Sequence, residues 1–236
     1  KDFSSGAAAF DAQGIALDGS GWVAFNYKPF PGTFWPTNGS TDDVLIRLPE
    51  KFRRIDGVES NALYLLNLTL VEMAIKNDAI ASIAPTDESN LGIDLDGDGI
   101  LGIGVTQLQR RSHYLGDASD DPLVLQQYPA GTELLHSVRY VGVAEDGSIA
   151  VPARMKELRY MRKQLQLPAY DLHSRYSRER KEKLLGELPS FVNYPGQGME
   201  NGMGWILQGY IEDYDGELRP QSFEETLHCM GCHAAI

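Results

Sequence analysis

The sequence predicts an α+β fold, a loop-rich mixed domain with short strands and several helices that closes on a C-terminal helix. Two observations carry this. Short apolar runs of strand type are interspersed with stretches whose apolar residues recur at helical spacing. Between them the chain spends 24 Gly and 12 Pro, many in turn-forming pairs, and no internal repeat is evident.

The elements follow in order. Gly21-Trp22-Val23-Ala24-Phe25-Asn26-Tyr27 alternates like a strand, and the stretch from Pro29 to Pro36, with Phe34 and Trp35, is a stiff aromatic loop. Val44-Leu45-Ile46-Arg47-Leu48 reads as a second strand. Ala62, Leu65, Leu66, Thr69, Leu70 and Met73 share one apolar face, which predicts a helix over 60–78. A hairpin is expected over 137–151, turning at Asp146-Gly147. Helices are expected near 153–166 and 174–186, and a strand over 203–212 before the turn Asp215-Gly216. Ser222 stands three residues before Glu225, a capping-box pattern that starts a last helix near Phe223. The expected division is 1–152, a mixed region, and 153–236, a helical region, or one continuous domain.

The chain has 236 residues and a formal net charge of −12, which argues against nucleic acid as a partner. Residues 154–183 carry ten Lys/Arg against four acids, so they are +6 and the remainder is −18. That segment reads as a solvated helical face that neutralises an acidic body, or as a docking face for an acidic partner. No apolar run reaches the roughly 18 residues needed to span a bilayer. The opening Lys1-Asp2-Phe3-Ser4-Ser5-Gly6 reads as a mature or trimmed N-terminus.

Two short stretches carry chemistry. In Gly92-Ile93-Asp94-Leu95-Asp96-Gly97-Asp98-Gly99-Ile100, carboxylates alternate and Gly99 sits at a tight bend. The pattern resembles the first half of an EF-hand-type calcium loop. The resemblance implies Ca²⁺ held by Asp94, Asp96, Asp98 and the carbonyl of Ile100. Hard oxygen donors suit Ca²⁺ far better than a softer metal. The twelfth position holds Val105 instead of the bidentate Glu, so a carboxylate must come from elsewhere; Glu72, Asp78 and Asp87 are the candidates.

The second stretch is Cys229-Met230-Gly231-Cys232-His233, which contains both cysteines of the chain. C-x-x-C-H is the attachment pattern of c-type haem, and here the chain resembles a c-type cytochrome. The resemblance implies covalent haem on Cys229 and Cys232, with His233 as the proximal iron ligand. For the distal ligand the expectation is Met203 or Met199, in a glycine-rich loop ending at Trp205, with His136 next; His113, His173, Met155 and Met161 complete the pool. His228 is expected to be a surface neighbour. The function so implied is electron transfer by an extracytoplasmic, periplasmic or cell-surface cytochrome with a structural calcium. The alternative is a haem enzyme of peroxidase or oxidase type, with His136 or Glu200 as acid–base group beside an open distal site. A redox protein is the expected partner, with an oligomer or sequence beyond Ile236 supplying the missing haem wall.

Overall fold

The computed structural model describes residues 9–24, 40–140, 142–150, 154–187 and 191–233. Phe34 and Trp35 lie outside these, as does the end of the first expected strand, 25–27. From the N-terminus the elements are β1 (Val23–Ala24), β2 (Ser40–Arg47), β3 (Arg54–Ile55), β4 (Val58–Glu59) and α1 (Asn61–Lys76). Then come β5 (Ile80–Thr86), β6 (Val105–Gln109), β7 (Glu133–Tyr140), β8 (Gly142–Val143), β9 (Ile149–Ala150) and β10 (Met155–Lys163). The chain continues through α2 (Ala169–Leu185), β11 (Val192–Tyr194), β12 (Gly198–Glu200), β13 (Trp205–Glu212), β14 (Leu218–Pro220) and α3 (Phe223–His233). It forms two compact units, one of Lys1–Arg47 with Glu133–Ile236 and one of Leu48–Thr132. The sequence-based boundary at 152/153 falls inside the larger unit.

The larger unit is built on one antiparallel sheet in the order β1-β2-β7-β10-β13-β12-β11, with β14 also pairing β13. This corrects the fold expectation. The molecule is mostly a large antiparallel sheet, with three α-helices among the described residues, and not a helix-rich mixed domain. The decisive segment is 153–166, expected as a helix. It is strand β10, and it bonds β7 on one side (Tyr160 opposite Leu135) and β13 on the other (Met161 opposite Leu207). A central strand gains a ladder of hydrogen bonds along both edges, and that overrides local helix propensity.

Period-2 alternation gives this sheet two apolar faces. On one, Leu45 and Leu135 pack with Ala16 and Trp22, and Leu158 and Tyr160 close over them. At its border the Arg47 guanidinium stacks on Trp22 at 4.5 Å and pairs with Glu133 at 2.5 Å. On the other face Met161, Met199, Trp205 and Leu207 are buried. Gly198, at φ +115, lets β12 close on β13; a Cβ there would stand 2.2 Å from the Leu207 carbonyl oxygen. α3 packs on β13, with Cys229 and Met230 buried. Its start is the capping box the sequence predicts: Glu225 N–H donates to Ser222 Oγ (3.3 Å) and Ser222 N–H to Glu225 Oε2 (2.8 Å).

In the smaller unit α1 begins where Ser60 Oγ accepts Leu63 N–H and ends at Asn77 in the left-handed region, φ 61. Its buried stripe runs through Leu63, Leu66, Asn67, Leu70, Met73 and Ala74, rotated from the expected face so that Ala62 is exposed. Asn67 is wholly buried and fully used: its amide donates to the carbonyls of Phe52 and Leu115 and accepts Leu115 N–H. β5 and β6 pair from Ile80–Gln109 to Thr86–Val105 and hold residues 87–104 between their ends.

Candidate metal centre

The loop between β5 and β6 is organised by its own carboxylates. Asp87 turns the chain first, its side chain accepting Ser89 N–H (3.0 Å) and the Asn90 amide (3.1 Å). Glu88 follows on a short 3₁₀ turn, Glu88–Asn90, and is completely buried. One of its oxygens accepts Leu95 N–H, the other Gly102 N–H at 2.7 Å, so a single carboxylate ties both limbs of the loop together. Leu95, also fully buried, plugs the loop from beneath, and its carbonyl accepts Gln109 N–H (2.8 Å) from β6.

Around Asp94 the chain curls so that Oδ1 accepts Gly97 N–H (2.7 Å) and Oδ2 accepts Gly99 N–H (2.9 Å). Gly97 and Gly99 have φ of +79 and +84, conformations that side chains with a Cβ resist. Asp96 Oδ1 accepts Asp98 N–H (3.2 Å), and Asp98 Oδ1 accepts Ile100 N–H (2.8 Å). Oxygens of Glu88, Asp94 and Asp96 lie within 4.8 Å of one another. Three ionised carboxylates at that separation repel by about 3 kcal/mol per pair at an effective dielectric of 20. No Lys or Arg occurs between Asn77 and Gln109 to offset this. A hard divalent cation is the chemistry that such a donor set fits.

Of the sequence-predicted ligands, Asp94 and Asp96 come together; Asp98 stands outside that group of three and holds the turn at Ile100. Glu88 was missed. It lies six residues upstream of Asp94, where no motif spacing marks it. Of the acids considered instead, Glu72 pairs with Lys76 and Asp87 holds its own turn, and neither these nor Asp78 belongs to the group of three.

The residues expected around haem lie in the larger unit. His136 is buried on β7, opposite Val44 and Arg159. Met199 is buried on β12 opposite Leu207, and Met203 is buried with its N–H on Asn201 Oδ1 (2.8 Å) and its carbonyl accepting Lys163 Nζ (2.7 Å). Cys229 Sγ donates to Gln221 Oε1 at 3.4 Å, and burial pushes its thiol pKa up. The side chains of Cys232 and His233 lie outside the described residues.

A sheet-built protein with an acidic, hairpin-borne loop is the class that fold and site define. Residues 6–236 match the model of a family described as a "-like lipoprotein", and the chain belongs to that lipoprotein family. An "Uncharacterized lipoprotein" of Aquifex aeolicus (strain VF5) is 37% identical over 217 residues, 92% of this chain. The chain spans about a third (34%) of that relative's length. No solved structure matches it. These findings overturn the reading of the chain as a c-type cytochrome, whether as electron carrier or haem enzyme. The Cys229-Met230-Gly231-Cys232-His233 pattern spans five positions of a chain that matches a lipoprotein family almost throughout, and the haem roles of Met199, Met203 and His136 lose the family that implied them. Membership of a lipoprotein family points to an extracytoplasmic location. No helix among the described residues is long and apolar enough to cross a membrane.

Proposed function

We propose that this chain is the calcium-binding part of an extracytoplasmic lipoprotein on the periplasmic or cell-surface side of its membrane, with Ca²⁺ stabilising the β5–β6 loop. The observation that supports it is the convergence of Glu88, Asp94 and Asp96 oxygens within 4.8 Å. Asp94 and Asp96 supply the ligands of the loop itself, while Asp98, outside that group, holds the turn at Ile100. Glu88 supplies from upstream the carboxylate that Val105 does not. Outside the cytoplasm Ca²⁺ is plentiful, so a site of modest affinity is filled there and acts on stability more than on signalling.

The test is thermal unfolding of the chain in chelator and in Ca²⁺. At a hundred times the dissociation constant, Ca²⁺ should add about 2.7 kcal/mol. Asp96→Ala should abolish that gain and cost under about 1 kcal/mol in chelator, since its one bond is long and exposed. Identical melting of the wild type with and without Ca²⁺ would rule the reading out.

A further inference from the structure

α2 is a 17-residue helix in which Leu172 is the one buried residue. A helix that buries so little of itself is held up by its own ion pairs and leaves nearly its whole surface available. Those pairs are arranged asymmetrically. Glu179 and Glu182 keep only 15% and 18% of their side chains exposed, while their partners Lys183 and Arg178 keep 75% and 71%. The acids are turned inward and the cations outward.

Helical geometry sharpens this. At 3.6 residues per turn, the arc from Arg180 round to Arg178 holds Tyr170, Lys181, Leu184 and Leu185 and no acidic residue. Tyr170 is 83% exposed and Leu184 81%, and Leu185, Arg180 and Lys181 are exposed beside them. Neither Arg180 nor Lys181 pairs with a described acid. This face of cations interleaved with leucine and tyrosine contrasts with the net charge of −12 of the chain that carries it.

We propose that the outer face of α2 docks on anionic phospholipid headgroups, with Arg178, Arg180 and Lys181 against the phosphates and Tyr170, Leu184 and Leu185 at the acyl boundary. Charge complementarity selects an anionic surface, and the exposed leucines select one with an apolar layer beneath the charge. Membership of a lipoprotein family supplies the nearby bilayer. The contact would fix how the domain lies on the membrane to which the protein is tethered.

The test is co-sedimentation of the 236-residue chain with vesicles, in chelator so that calcium bridging plays no part. The chain should partition onto mixed phosphatidylcholine–phosphatidylglycerol vesicles, leave them in high salt, and ignore pure phosphatidylcholine. Losing a surface cation lowers partition about fivefold, so Arg180→Gln with Lys181→Gln should weaken it about 25-fold. Leu184→Ser with Leu185→Ser should weaken it too. A control pair in the smaller unit, Lys51→Gln with Lys76→Gln, should bind as wild type does. No sedimentation with anionic vesicles, equal binding to neutral ones, or an equal loss in the control pair each overturns the proposal. Binding to an acidic protein in place of either vesicle would do so as well.

Discussion

Replacing Glu88 with Ala tests the loop in two separable ways. In chelator the substitution strips the acceptor from two main-chain donors, Leu95 N–H and Gly102 N–H, around a side chain that is completely buried. A hydrogen bond to an ionised group contributes about 1.5–3 kcal/mol, so losing both should cost roughly 3–6 kcal/mol before any cation is considered. At this chain length 1 kcal/mol moves the melting temperature by about 2–4 °C, so the drop should be on the order of 10 °C. Adding Ca²⁺ should then restore little, because the same carboxylate belongs to the group that meets Asp94 and Asp96. Circular dichroism melts in chelator and in Ca²⁺ read both effects. If Glu88→Ala leaves too little folded protein to melt, Glu88→Gln keeps one acceptor and should show about half the loss in chelator with the Ca²⁺ response gone. A variant that melts within about 2 °C of wild type in chelator would show that Glu88 does not clamp the loop. One that keeps the full Ca²⁺ response would remove it from the ligand set.

Lys163 is buried against Trp205, and burial lowers its pKa to about 8 from the ordinary 10.5. Below that folded value both states hold the proton; between 8 and 10.5 the unfolded chain holds more, so stability should rise with pH across this window. The rise from this group is about 3 kcal/mol at most, and Lys163→Met should flatten it in urea melts taken at successive pH values; an unchanged slope refutes the assignment. At α3, Arg219 and the Ser222 N–H hold the Glu225 carboxyl down to about 2. The box is therefore intact above the ordinary carboxylate range and is lost as pH falls through 4.5 towards 2, which a carboxylate NMR titration should show. Ser222→Ala should cost about 1 kcal/mol in denaturant unfolding, and no cost would mean the cap is idle.

The sequence by itself determined what depends on near neighbours. The helix at α1, the helix at α2 and the cap of α3 are written in spacings of three and four residues and in one Ser–Glu pair, and the structure has them there. The curl of Asp94 onto Gly99 is local too, so the acidic loop was legible down to its bending glycine. The C-x-x-C-H pattern is equally local, and it misled because five residues say nothing of the chain around them; the match over 6–236 does. Tertiary structure alone decided the rest. β10 is a strand because β7 and β13 hydrogen-bond its two edges, and neither partner is visible from within 155–163. β2 lies beside β7 although Arg47 and Glu133 are 86 residues apart. Glu88 joined the acidic centre for the same reason: its place depends on where the loop brings Leu95 and Gly102 back to it, and a position fixed by chain closure leaves no periodic trace in sequence.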